Sequence, residues 1–335
     1  MNLNLMKLAT TFMFIIILAA CGNQAEKAEK QSVHTEQSTS NHSDKQSDNL
    51  QQQVSVVDGT GQKITLEKPA KRIVEIRGSG LDMLAELGVK DVTTQIGYQE
   101  LANYFFGKEK AKGFGKIRGS WIEPNIEDII AAKPDLVIGG AYPHAELVNS
   151  LKGVAPVYLL TEKGHYMGAV RDLERLGVLT GKEKEAKQAI NHFLTKLKEY
   201  KEKSPKNKSA LVLMGSDTNF NVYTETSRTG SLLAEVTNYP KILKGGNPKQ
   251  YEIPLSLEEI LAINPDVLFM ESLGNEPLSK QLSKNPVWSQ LSAVKNNRVY
   301  EIDGKIWHSG RGTKGSSVIL DHAMPLLYPE IFPKK

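Results

Sequence analysis

Apolar and polar positions along this chain alternate in two periods, and the switches between them mark its elements. Val54-Ser55-Val56-Val57 and Lys63-Ile64-Thr65-Leu66 flank Asp58-Gly59-Thr60-Gly61, a pattern that predicts an opening β-hairpin. Arg72-Ile73-Val74-Glu75-Ile76 reads as a strand, and Leu81 to Leu87 as a helix stopped by Gly88. A helix near Ile126 to Ala132 ends before Lys133-Pro134-Asp135, and the apolar runs Leu136-Val137-Ile138-Gly139 and Val157-Tyr158-Leu159-Leu160 follow as strands. Strands alternating with helices predict parallel, doubly wound sheets.

The same unit then recurs. Ala210-Leu211-Val212-Leu213-Met214 reads as a strand ending in Gly215, and Leu257 to Ala262 as a helix. Asn264-Pro265-Asp266 interrupts it, and the strand Val267-Leu268-Phe269-Met270 follows. A helix, then (Lys/Asn)-Pro-Asp, then a strand appears twice in matching kind. Proline is common punctuation at such places, but two copies in corresponding halves predict two similar lobes. Between them Ala186, Ala189, Ile190, Phe193, Leu194 and Leu197 share one helical face opposite a Lys- and Glu-rich one, which predicts a long helix ending near Ser204-Pro205. The expected organisation is an N-terminal lobe over residues 54–167, an interlobe helical segment over 168–204 and a C-terminal lobe over 205–335. A single stiff helix between lobes limits hinge motion.

The first 53 residues differ in kind. Lys7 precedes the apolar run Leu8 to Leu18, the length of a secretory h-region and short for a membrane span. Leu18-Ala19-Ala20-Cys21 then reads as a lipobox, with residues 1–20 as signal peptide and Cys21 as the acceptor of a lipid; an ordinary signal peptide with a chance cysteine is the alternative. Residues 21–53 are rich in Gln, Ser, Asn, Lys and Glu and read as a disordered tether, with His34 and His42 solvated. Cys21 is the one cysteine of the chain, so no disulfide is expected, and 40% hydrophobic residues suffice for an apolar core. A net charge of +4 without a basic block argues against a nucleic-acid partner.

In this order the elements resemble a family, the helix-hinged substrate-binding lipoproteins of bacterial ABC importers for ferric siderophores, haem and cobalamin. The resemblance runs from the lipobox to the last helix. It is carried by Leu18-Ala19-Ala20-Cys21, Asp58-Gly59-Thr60-Gly61, Lys68-Pro69-Ala70-Lys71-Arg72-Ile73-Val74, Glu123-Pro124-Asn125-Ile126-Glu127, the two Pro-Asp turns, the long helix, and Trp288 to Tyr300. It implies two Rossmann-like α/β lobes joined by one long helix, with ligand in the cleft. An extracytoplasmic, lipid-anchored carrier serving an ABC permease and its ATPase is implied too, and a tethered carrier, with no need to self-associate, is expected to be a monomer.

Ligands of open α/β sheets sit beyond the carboxyl ends of strands. The loops there carry Arg77, Arg118, Trp121, Tyr142 and His144 in the first half, and Tyr223, Arg228, Trp307, His308 and Arg311 in the second. Arginine forks match carboxylate or catecholate oxygens, and Trp and Tyr add flat contact area. Arg77 and Arg118 can equally be turn arginines at the surface. Trp121 can staple the helix that starts at Pro124-Asn125, and Tyr142 and His144 can simply top the sheet. Arg228 matches the family's cleft arginine, and Trp307 and His308 fall where the family places an aromatic lid. His165 and Tyr166 lie in a lobe-crossing stretch and are weaker candidates.

So many arginines favour an anionic ferric chelate of carboxylate or catecholate type. Its iron is already fully coordinated, so no direct protein–metal bond and no intrinsic cofactor are expected. Haem is the alternative, with Tyr142, His144, His308 or Met214 as axial ligand. Zinc or manganese lacks a converging His and carboxylate set, and cobalamin suits so many cations poorly. Gly-x-Ser-x-Gly, His-Glu-x-x-His and phosphate-loop motifs are absent, which argues against an enzyme. The resemblance further implies one exposed carboxylate on each lobe that pairs with a permease arginine. Glu127 and Glu258 match, although each can instead serve its own helix N-terminus.

Overall fold

The computed structural model describes residues 53–161, 164–243, 247, 249–273 and 276–333. The expected signal peptide, the expected lipid acceptor Cys21 and the expected tether, as far as residue 52, lie outside the described residues. The opening hairpin pairs β1 (Val54–Val57) with β2 (Lys63–Leu66). Asp58 ties it to the domain: Oδ1 accepts from Thr60 N at 2.8 Å, and Oδ2 from Leu159 N at 3.3 Å.

The first lobe is built on a parallel five-stranded sheet of β3 (Arg72–Glu75), β4 (Asp91–Gln95), β5 (Gly115–Ile117), β6 (Leu136–Gly140) and β7 (Val157–Leu160). Its order is β5-β4-β3-β6-β7. β6 and the edge strand β7 are buried at every position, as parallel strands covered on both faces must be. The winding direction reverses between β3 and β6, so the loops after those strands splay apart and leave a crevice.

The second lobe contains β8 (Ala210–Gly215), β9 (Phe220–Tyr223), β10 (Glu252–Pro254), β11 (Val267–Ser272) and β12 (Val299–Glu301), in the order β10-β9-β8-β11-β12. The parallel pairing expected of most strands holds here for part of the sheet. β8 is parallel to β11 and β11 to β12, but β9 runs antiparallel to both β8 and β10. The cause is local. Only Ser216 to Asn219 separate β8 from β9, and so short a link permits a hairpin but no crossover helix.

The repeated Pro-Asp turns do the same work in both lobes. Lys133 and Asn264 take positive φ, 46° and 49°, and end their helices. Asp135 then accepts from the backbone N–H groups of Lys71 and Arg72, while Asp266 accepts from Ser209 N and Oγ. Each aspartate fastens the start of its strand to the start of the neighbouring one.

Two helices, Met167–Thr180 and Glu183–Lys203, fill the segment between the sheets and turn at Gly181, whose φ is 64°. The second carries the expected apolar face, with Ala186, Phe193 and Leu197 buried. The last helix, Thr313–Leu327, packs against it. Among the described residues no helix is long and apolar enough to cross a membrane.

Candidate ligand-binding site

The carboxyl ends of both sheets face one cleft, in which two chambers stand out. The larger, about 520 Å³, is bounded by Thr161, His165, Arg171, Tyr223, Arg228, Tyr251, His308 and Arg311, among others. The other, about 410 Å³, is bounded by Arg77, Tyr98, Trp121, Met214, Glu271, Leu273, His308 and Arg311. His308 and Arg311 belong to both, so the loop carrying them divides the cleft.

Arg77 owes its position to a carboxylate. Glu75 ends β3 fully buried, and it accepts from the backbone N–H of Arg77 at 3.2 Å, Gly78 at 2.7 Å and Gly80 at 3.1 Å. Burial pushes its pKa up to about 7 against the pull of those three donors. Gly78 takes a φ of 78°, and the ring of Tyr98 occupies the space a Cβ would need. The Arg77 guanidinium then crosses the sheet's reversal point. Its Nη1 donates to the Tyr142 carbonyl at 2.9 Å, and its Cζ lies 4.9 Å from the Trp121 ring centroid. Trp121 is 41% exposed and meets Tyr142, 65% exposed, edge to face at 6.2 Å. Arg77, Trp121 and Tyr142 therefore form a cationic and aromatic rim on the first lobe.

Other sequence candidates have different places. His144 is buried: Nδ1 accepts from Gly140 N at 3.1 Å and Nε2 bonds to the Trp121 carbonyl at 2.7 Å. It anchors the rim from behind instead of facing a ligand. Arg118 is spent on Asp128, which takes its Nε at 2.9 Å and its Nη2 at 2.6 Å, and it borders neither chamber. Trp307 borders the larger chamber but presents almost no surface to it. Its indole is 1% exposed and packs 5.0 Å from the Phe269 ring, because the short helix Gly304–Trp307 turns it into the second lobe's core.

Arg228 borders the larger chamber, yet its fork mainly braces the dividing loop. Nη1 donates to the Gly310 carbonyl at 2.8 Å, and Nη2 to those of Trp307 at 3.3 Å and His308 at 3.4 Å. Burial, with Arg311 beside it, lowers its pKa to about 9. Arg311 donates through Nε to the His308 carbonyl at 3.1 Å. Tyr223, at the end of β9, places its hydroxyl 2.8 Å from His308 Nδ1 and 3.2 Å from Glu271 Oε2. Sequence reasoning passed over Glu75, Tyr98, Arg171 and Tyr251. Glu75 left a readable signal, since a carboxylate inside an apolar strand needs donors.

Glu127 and Glu258 lie away from both chambers, each exposed at the second position of a helix, Ile126–Ala131 and Leu257–Ile263.

The arrangement suits a sizeable anionic guest held by guanidinium groups and flat rings. The Fe(3+)-citrate-binding protein YfmC of Bacillus subtilis (strain 168) is 27% identical over 278 residues, 79% of this chain and 84% of that protein. The Fe(3+) dicitrate-binding periplasmic protein FecB of Escherichia coli (strain K12) is 28% identical over 252 residues, 74% of this chain and 82% of that one. The crystal structure of the petrobactin-binding protein YclQ from Bacillus subtilis superposes with a TM-score of 0.69 at 25% identity, covering 85% of this chain and all of that one. The family profile described as periplasmic binding protein matches residues 73–306, spanning both sheets and the helices between them. This chain belongs to the periplasmic binding protein family.

Proposed function

We propose that this protein captures an anionic ferric chelate, of carboxylate or catecholate type, and presents it to the permease of an ABC importer. The observation that carries the reading is the cleft itself, where Arg77 and Arg311 from opposite lobes meet beside the Trp121–Tyr142 rim. Relatives that bind ferric citrate support the carboxylate class. The haem alternative loses ground, because His144, one of its candidate axial ligands, has both ring nitrogens engaged. The chain acts as a carrier and not as a catalyst. We read it as a monomer held at the extracytoplasmic face of the cell membrane through Cys21, with Glu127 and Glu258 as its contacts to the permease.

Intrinsic fluorescence tests the reading directly. Of the three tryptophans, Trp288 and Trp307 are buried and Trp121 is exposed, so quenching by a cleft ligand reports mainly Trp121. Ferric citrate and ferric catecholates titrated into the purified protein should give saturable quenching for at least one chelate. Arg77→Ala and Arg311→Ala should each weaken it about 10- to 100-fold, the effect of one charged hydrogen bond. Tight haemin binding with a Soret band, or no response to any anionic ferric chelate, would overturn the proposal.

A further inference from the structure

Glu271 is a carboxylate that the recognition of an anion does not call for, yet it stands in the wall of the smaller chamber. It lies one residue before the end of β11, is 5% exposed, and among the described residues has one hydrogen-bond donor, the Tyr223 hydroxyl at 3.2 Å. No ion pair engages it among the described residues. A Cβ at Gly304 would strike its carboxylate, so the acid is boxed in from that side. The charged and titratable groups around it are Tyr223 on β9, Glu252 on β10, Asp303 before the helix Gly304–Trp307, and His308 and Arg311 on the dividing loop. Burial, the largest cause, opposes its ionisation together with Glu252 and Asp303, outweighs the Tyr223 hydroxyl and Arg311, which favour it, and pushes its pKa up to about 7.

The Tyr223 hydroxyl has one hydrogen and three neighbours to receive it: Glu271 Oε2, His308 Nδ1 at 2.8 Å, and Met214 Sδ at 3.4 Å, a weak acceptor. When Glu271 is ionised, the hydrogen goes to its carboxylate, and His308 Nδ1 must carry a proton of its own to donate to the tyrosine oxygen. When Glu271 is protonated, its O–H donates to that oxygen and the tyrosine hydrogen turns to His308 Nδ1. A neutral His308 then carries its proton on Nε2. One proton taken from solvent thus reverses two hydrogen bonds and moves the imidazole to its other tautomer.

We propose that Glu271, Tyr223 and His308 form a proton relay, through which an anionic guest is bound together with one proton. The inference rests on the cleft being the anion site. A negative guest beside Glu271 disfavours its charge and draws a proton onto it. Neutral Glu271 ceases to repel the guest, and in neutral His308 the N–H moves to Nε2. The protein thereby gains selectivity for anions without a fixed extra cation.

Two measurements decide it. In the unliganded protein, the nitrogen-15 spectrum of His308 followed from pH 5 to 9 should show a change of tautomer or protonation with a midpoint near that of Glu271. Glu271→Gln, whose amide donates as the protonated acid does, should hold His308 as the Nε2–H tautomer above its own titration, and Tyr223→Phe should uncouple the ring from residue 271. Calorimetry with ferric citrate and a ferric catecholate, in phosphate and in Tris buffer, should reveal net proton uptake near pH 7.5. Affinity should fall by up to about tenfold per pH unit above pH 7. Both effects should disappear in Glu271→Gln. A His308 spectrum indifferent to Glu271→Gln, or binding without proton exchange, would overturn the relay. Failure of every chelate to bind would instead overturn the functional reading, and the imidazole spectrum would still decide whether the relay exists.

Discussion

The His144 ring is held between a strand end and the rim. The Gly140 N–H points at Nδ1, so the proton sits on Nε2 and is donated to the Trp121 carbonyl. Burial, helped by the nearby Arg77 charge, lowers its pKa to about 4 against the pull of that carbonyl. A base depressed in the folded state adds stability above its unfolded pKa, near 6.5, and that stability is lost as pH falls towards 4. His144→Phe should therefore lower stability at pH 7.5 by about 1–3 kcal/mol, because one buried donor and one carbonyl lose their partner. It should also weaken chelate binding, since the Trp121 loop is freed. Urea unfolding at pH 7.5 and pH 5 checks this, and equal losses at both values would count against the account, which requires the smaller loss at pH 5. Of the residues expected at strand ends, Arg77, Trp121, Tyr223, Arg228, His308 and Arg311 all border the candidate cleft. His144 and Arg118 were misplaced for one reason: loop membership tells which residues stand at a strand end, but not whether their polar atoms are already taken by the chain itself. Trp307 differs, since its indole nitrogen has no partner among the described residues and apolar packing on Phe269 holds it in place.

One element pair fixes where the dividing loop can go. The helix Leu81–Glu86 receives the start of the last helix, with Asp82 accepting from Gly312 N at 2.7 Å and Gly315 N at 3.0 Å, and Glu86 accepting from Thr313 Oγ1 at 2.5 Å. Arg311, immediately before, is thereby pinned to the first lobe as well as the second. Both acids favour a helix N-terminus in charge, yet burial raises Asp82 to about 6 and Glu86 to about 7. For an acid raised on folding, stability is greatest below its unfolded pKa and is lost as pH rises through the folded value. Their contribution to the melting temperature should accordingly fall between about pH 4 and pH 7. Glu86→Gln, which still accepts from Thr313, should reduce that slope by up to about 1.4 kcal/mol per pH unit. An unchanged slope in denaturant titrations across that range would reject the assignment. Many elements were readable: the hairpin, β3, β6, β7, β8, β11 and the amphipathic helix follow from apolar period and turn residues, whereas the short strands β4, β5, β10 and β12 were not read. Two further features escaped, the antiparallel β9 and the helix break at Gly181. The first follows from a link too short for a crossover, the second from one left-handed residue inside a helical stretch.

At the scale of the whole molecule, the repeat seen in the sequence is a structural one. Each lobe presents a short helix whose second residue is an exposed glutamate, Glu127 in one and Glu258 in the other. Helix capping no longer accounts for them. Asn125 caps the first helix by accepting from Asp128 N at 2.8 Å, and Asp128 is occupied by Arg118. Ser256 and Glu259 complete a capping box on the second. The neighbouring acids do the structural work, which leaves Glu127 and Glu258 available to a partner that touches both lobes at once. Their equivalent places predict a paired contact, with each lobe bearing part of it. Glu127→Lys combined with Glu258→Lys should leave chelate affinity and melting temperature unchanged, because both side chains lie outside the chambers and outside the caps. Uptake of radioactive iron by cells whose only copy is the double variant should be abolished, and each single variant should be partly impaired. Glu123→Lys, an adjacent exposed acid, serves as the control and should transport normally. Normal uptake by the double variant would remove these two residues from the permease interface, and lost binding would place them in the ligand site instead.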